Sequence, residues 1–166
     1  MSEPALPVTR SVSIDVAASP EQLWSYVSDP SIPARFSSEL VEAKFVDGST
    51  AAVGAVIEGR NARSGFEWST LSTVVMCDEP RLFRWVVGDA AEPTATWSFE
   101  VIPDGHAAVL VHTVTLHANK PPLSRAIEQD PDRAHDIVDA RIAELLVSME
   151  STIAGIAALA VEIRTD

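Results

Sequence analysis

The residues of this 166-residue chain best suited to moving protons or attacking a substrate are four histidines, one cysteine and one tyrosine. His112 lies in the run Leu110-Val111-His112-Thr113-Val114, so on a strand it shares a face with Leu110 and Val114. A buried, uncharged imidazole there could anchor a ligand's hydroxyl or carboxylate, or act as an acid or base near neutral pH. The alternative is a structural histidine satisfied by the protein; His112 is the one, weak, catalytic candidate. His112 and His117 are five apart and fall on opposite faces of a strand, while His135 and Asp139 sit one helical turn apart but offer only two ligands, so neither a metal nor a cofactor is expected. His106 belongs to a turn. Cys77 is followed by Asp78 and Glu79, whose charges raise a thiol pKa and blunt its reactivity. Standing alone, it allows neither an intrachain disulfide nor a thiolate cluster. Tyr26 falls in the first helix, and Glu58 and Glu67 face solvent across neighbouring strands instead of forming a catalytic pair. There is no Gly-x-Ser-x-Gly elbow, and Gly59 to Gly65 lacks the following Lys-Ser or Lys-Thr of a phosphate loop.

Twelve Lys and Arg against 24 Asp and Glu leave a net charge of −12, spread evenly along the chain. That sign argues against nucleic acid as a partner and against anionic membrane surfaces. With 46% apolar and 22% charged residues the chain reads as one folded domain over 10–166 after a flexible tail over 1–9. The N-terminal residues lack a signal-peptide pattern, and nowhere do 18 apolar residues follow one another. The expectation is a cytoplasmic monomer or homodimer with no stable membrane insertion.

Positioning these residues requires elements whose signals are clear. Val12, Ile14 and Val16 alternate with polar residues and predict a strand over Arg10 to Val16. Ser19-Pro20-Glu21-Gln22 combines an N-cap, a proline at the first helical position and capping-box spacing, predicting a helix to about Val27. Asp29-Pro30 starts a second short helical turn toward Phe36. Six strands follow at about 40–46, 53–61, 65–77, 82–88, 94–102 and 107–117, joined too tightly for crossover helices, so the sheet is antiparallel. After Lys120-Pro121-Pro122 a short helix spans Leu123 to Gln129. Asp130 then caps a long one to about Arg164, with Val138, Ile142, Leu145, Met149, Ile153, Ile156, Ala160 and Ile163 as its apolar stripe and Gly155 as a place to bend. Strand parity turns Phe66, Trp68, Thr70, Ser72 and Val74 inward, with Phe83, Trp85 and Val87, and with Trp97, Phe99 and Val101. A bulge in so long a strand would reverse part of this set. Hydroxyls at Thr70 and Ser72 on an aromatic face favour a cavity wall over a dry core.

The words VAASPEQLWSYVSDP at 16–30, GRNARSGFEW at 59–68, TWSFEVIP at 96–103 and the last helix resemble the polyketide cyclase/dehydrase and lipid-transport family of the START-like (SRPBCC) superfamily, related in fold to the birch-pollen allergen. The resemblance spans Val12 to Ile163. It implies an α+β helix-grip fold: a curved seven-stranded antiparallel sheet around a long C-terminal helix, with two short helices after the first strand. It also implies a hollow interior that binds a lipid, sterol or polyketide-like molecule, and it favours Asn61 over Arg60 as the inward residue. The expected ligand contacts are Phe36, Asn61, Phe66, Trp68, Phe83, Trp85, Trp97, His112, Leu145 and Met149, with 20–36 and 118–130 flanking the entrance. A cyclase, aromatase or dehydrase using the same pocket is one alternative, and a protein-interaction module with a closed cavity is another.

Overall fold

The computed structural model describes residues 3–119 and 121–162, so Lys120, Ile163 and Arg164 lie outside the described residues. The chain forms β1 (Val8–Val16), α1 (Pro20–Val27), α2 (Ser31–Ala34), β2 (Leu40–Phe45), β3 (Val56–Arg63), β4 (Phe66–Asp78), β5 (Leu82–Val87), β6 (Ala95–Asp104), β7 (Ala107–Leu116), α3 (Leu123–Gln129) and α4 (Ala134–Glu162). The strands make one antiparallel sheet in the order β1-β7-β6-β5-β4-β3-β2. Its two edges, β1 and β2, are neighbours in sequence, and α1 and α2 bridge them.

Local chemistry explains the short helices. Ser19 accepts the Gln22 N–H at 3.2 Å and its own N–H donates to Gln22 Oε1 at 2.9 Å, a closed capping box. Asp29 Oδ1 accepts from the Ser31 N–H at 3.0 Å and from its hydroxyl at 2.7 Å, starting α2. Asp130 makes no side-chain cap; a 3-10 turn over Pro131–Arg133 leads into α4 instead. The N-terminal tail is shorter than expected, because Val8 and Thr9 pair with Leu116 and Thr115 and the Leu6 side chain is buried.

The 29 residues of α4 run about 43 Å at 1.5 Å per residue and pack on β1, β7 and α1. The helix is long and apolar enough to cross a membrane by length and composition, yet Val138, Ile142, Leu145, Met149, Ile153, Ile156 and Ala160 are no more than 5% exposed, because they meet the sheet. Each of these side chains except that of Ala160 contributes about 1.5–3 kcal/mol by leaving water. The helix does not break at Gly155. There the missing side chain makes room for the Phe36 ring, three of whose carbons would lie under 3.0 Å from an added Cβ.

β4 does carry a bulge. Its register on β5 steps from Val74↔Trp85 to Met76↔Arg84, skipping Val75. Parity therefore holds up to Val74 and reverses beyond it: Met76 is exposed, while Cys77 faces Phe83 and packs against the core.

Candidate functional site

The concave face of the sheet and the inner side of α4 do not meet everywhere. Between them lies a cavity of about 160 Å³ that opens to solvent at its mouth. Among the expected contacts, Asn61, Trp68, Phe83, Trp85, Trp97, His112, Leu145 and Met149 line it, together with Thr70, Ser72 and Phe99. Two expected contacts lie elsewhere. Phe66, at the outer end of β4, is 65% exposed and stacks on Trp68 at 5.9 Å, because the β3–β4 hairpin runs past the end of the core. Phe36 packs against Gly155 of α4 and is not part of the wall. The α1–α2 region supplies Val27, Pro30 and Pro33, whereas no described residue of 118–130 lines the cavity.

Trp85 is the hub of the aromatic wall. Its ring lies 5.6 Å from Phe83, 5.8 Å from Phe99 and 6.5 Å from Trp97, the last pair almost parallel at 9°. These distances are in the range where ring pairs attract beyond their area burial. His112 joins the stack, 4.1 Å from Phe99 and parallel to it within 9°.

His112 Nδ1 is 2.9 Å from the Ser98 carbonyl oxygen. A carbonyl only accepts, so Nδ1 carries the hydrogen and Nε2 presents a lone pair. Nε2 has no partner among the described residues and is not sealed off, which leaves it open to the cavity that His112 lines. Burial drives the imidazole pKa down to about 4, opposed in part by the bond to Ser98, so the ring is neutral at pH 7. Ser72 is 5% exposed, and its hydroxyl, like those of Thr70 and the Asn61 amide, makes no side-chain hydrogen bond within the described residues. The cavity thus pairs flat apolar walls with a few polar atoms free to take a ligand.

Sequence reasoning missed a second group on the same cavity. Arg141 of α4 holds Glu39 with both guanidinium arms, at 2.5 and 2.8 Å, with both side chains 12–13% exposed. Arg141 also reaches Glu144 at 3.2 Å, and Glu144 pairs with Arg63 of β3. Burial alone would lower the Arg141 pKa, but Glu39 and Glu144 outweigh it and raise it; at the exposed Glu144, partial desolvation opposes Arg63 and Arg141, which nevertheless hold its carboxyl below the ordinary value. Further along α4, Ser148 Oγ lies 2.9 Å from Ser37 Oγ and accepts the Ser38 N–H at 3.2 Å, and Ser151 donates to the Phe36 carbonyl at 2.8 Å. Residues 36–39 therefore form a strap fastened to positions 141, 148, 151 and 155 of one helix. The available signal was polar residues, Arg141, Ser148 and Thr152, spaced seven and four apart beside the apolar stripe.

The remaining candidates are dispersed. Arg60 lies on the outer face, 3.6 Å from Glu42 and 3.9 Å from Glu67. His117 Nε2 meets the Thr96 hydroxyl at 2.8 Å, His135 Nε2 lies 2.9 Å from the Glu3 carbonyl, and no cluster of three metal-ligating side chains occurs among the described residues. The Cys77 thiol pKa is raised, first by burial and then by Glu79 and Asp78.

The family described as polyketide cyclase / dehydrase and lipid transport matches residues 7–149. No curated protein matches the chain. Among solved structures, a Polyketide_cyc-like protein of Corynebacterium glutamicum is 24% identical with a TM-score of 0.67, over 98% of this chain and 96% of that one. The ginseng (Panax ginseng) major latex-like protein 151 is 13% identical with a TM-score of 0.63, over 92% and 97%. The di-domain ARO/CYC StfQ of the steffimycin biosynthetic pathway is 13% identical with a TM-score of 0.77, over 98% of this chain and 53% of its own. These likenesses establish the helix-grip fold.

Proposed function

Since the chain belongs to the polyketide cyclase/dehydrase and lipid-transport family, we propose that it binds a small, ring-containing hydrophobic ligand between the sheet and α4. The observation that carries this reading is the cavity itself: rings of Trp68, Trp85, Trp97 and Phe99 facing Leu145 and Met149, with the lone pair of His112 Nε2 and the free Ser72 hydroxyl set among them. Polar atoms on an otherwise aromatic wall cost free energy unless something bonds to them, so a cavity that takes a ligand suits them better than a filled core does. In engineered cores, about 150 Å³ holds a benzene-sized molecule. The enclosed part thus suits one ring, and a larger body extends into the mouth.

Ligand orientation follows from the donors and acceptors. A hydroxyl or phenol donates to Nε2, its ring lies against Trp85 and Trp97, and Ser72, Thr70 and Asn61 meet further oxygens. The second reading, a cyclase or dehydrase acting on such a ligand, rests on that same Nε2, the one imidazole nitrogen on the cavity wall. A base whose conjugate acid has a pKa of about 4 is weak, so binding is the stronger reading. A closed interaction module lacks the filled core it needs. We also read the protein as a cytoplasmic carrier without a bound cofactor.

The test is native mass spectrometry of the purified protein, repeated after denaturation, with extraction of whatever dissociates. Extra mass that disappears on denaturation, and that is lost in a folded Trp68→Ala/Trp97→Ala variant, is the expected result. A bare mass that persists after incubation with fatty acids, sterols and aromatic polyketides overturns the reading. Turnover of an aromatic polyketide that His112→Ala abolishes without loss of binding would select the enzyme.

A further inference from the structure

Arg141 and Glu39 both line the cavity, and the pair sits where the strap 36–39 crosses α4. Resting on the reading of this cavity as a ligand site, we propose that Glu39 is a resident stand-in for the ligand's own carboxylate, and that the protein binds an apolar monocarboxylate by exchanging Glu39 for it on Arg141.

Three features of the pair support the exchange. First, a planar guanidinium grips any carboxylate in the same two-pronged way, so an incoming acid reproduces both of the bonds at 2.5 and 2.8 Å that Glu39 gives up. The charge on the Arg141 fork is matched before and after, and burial of the ligand's apolar body supplies the net drive. Second, Arg141 is the one cationic side chain on the cavity wall among the described residues, and its other partner, Glu144, is fixed from the far side by Arg63. Glu144 holds the fork in place while Glu39 leaves. Third, Glu39 is the more lightly held partner. Its carbonyl accepts the Ala62 N–H of β3 at 2.9 Å, but the amides around it are held by hydroxyls: Ser37 Oγ accepts the Glu39 and Leu40 N–H groups at 3.1 and 2.9 Å, and Ser148 Oγ accepts that of Ser38 at 3.2 Å, so the exchange swings the Glu39 side chain and loosens these amides. Arg141, by contrast, is fixed in the middle of a long packed helix. The chain's net charge of −12 would repel an acid at long range, but solution ions screen that field beyond about 8 Å, leaving the fork in control at contact.

Calorimetric titration with 2-naphthoate and its neutral isostere 2-naphthamide at pH 8 tests the exchange. We expect the wild type to bind naphthoate at least tenfold more tightly than the amide. Glu39→Gln, which leaves a poorer competitor for the fork, should tighten naphthoate about tenfold further and leave the amide unchanged. Arg141→Met should bind the two alike. A readout on the unaltered protein covers the event that a variant fails to fold: naphthoate, and not naphthamide, should speed hydrogen exchange at the Ser38, Glu39 and Leu40 amides. Equal wild-type affinities, an unchanged naphthoate-to-amide ratio in Glu39→Gln, or exchange at the strap that is equal with both compounds would overturn the proposal while leaving the cavity reading intact. Failure of either compound to bind any variant would remove the cavity reading and the proposal together.

Discussion

Acid should unfold this protein through a single imidazole. His112 is held at a pKa of about 4 in the folded state against an ordinary 6.5, because burial beside Phe99, Trp97 and Trp85 disfavours the charged ring. Above pH 6.5 neither folded nor unfolded chain protonates it, and below pH 4 both do. Between those values the unfolded chain takes up a proton that the folded one refuses, so stability falls as the pH drops. At 1.36 kcal/mol per tenfold change in proton affinity the full effect is about 3 kcal/mol, against a total stability of about 5–15 kcal/mol for a typical domain. Urea unfolding followed by tryptophan fluorescence at pH 7.5, 6.5, 5.5 and 4.5 measures it, with His112→Gln as the reference. The Gln side chain can still donate to the Ser98 carbonyl, but it does not titrate. Carboxylates such as Glu144 act at lower pH and equally in both proteins, so they cancel in the difference. The wild type should lose about 2 kcal/mol more than the variant between pH 6.5 and 4.5. Parallel curves, or an NMR titration placing the His112 midpoint above pH 6, would refute the reasoning.

Other outcomes follow from the same geometry. Gly155→Ala puts a methyl into the Phe36 ring and should cost at least about 1–3 kcal/mol by overpacking, read as a lowered Tm, with faster exchange at residues 36–39 because the strap is displaced. Ser72→Val removes a cavity-facing hydroxyl that has no side-chain hydrogen bond among the described residues, so thermal stability should hold or rise while affinity for hydroxylated aromatic ligands falls; a large loss of stability would mean the hydroxyl is structurally used. Ser148→Ala unpins the strap from α4 and should cost about 1 kcal/mol in urea unfolding, and no change would show that the strap contributes nothing. Cys77 should react with iodoacetamide more slowly than glutathione at pH 7, because its raised pKa keeps it protonated; labelling as fast as the free thiol would contradict that environment.

What the sequence made legible is what local chemistry decides. The Ser19–Gln22 box, the alternation of β6 and β7 and the three- and four-residue stripe of α4 are each written within a dozen neighbouring residues, and they emerge within a few residues of their expected bounds. The inward set Trp68, Trp85 and Trp97 follows from parity alone. Apart from the cap expected at Asp130, the misses turn on which distant residues meet. Glu39 and Arg141 stand 102 positions apart, and nothing local marks them as partners. Phe36 reads as a pocket aromatic and Gly155 as a bend, because the ring and the gap that receives it are separated by almost the whole sheet. Phe66 has the right parity and the wrong end of the strand, since parity says which side a residue faces but not where the core stops. At Val75 the skipped residue hands the inward role from Met76 to Cys77, a shift that alternation cannot locate.

The helix that closes the cavity is made after every strand that lines it. While β5 and β6 emerge from the ribosome, Trp85, Trp97 and Phe99 face an open trough, and the stretch from Phe99 to Glu162 takes seconds to translate at roughly 5–20 residues per second. For that interval the future binding surface is an adhesive one, available to chaperones, to neighbouring nascent chains or to a passing ligand. A chain cut short before α4 would therefore be expected to aggregate instead of binding weakly. The yield of working protein in a cell then depends on how promptly its last helix arrives.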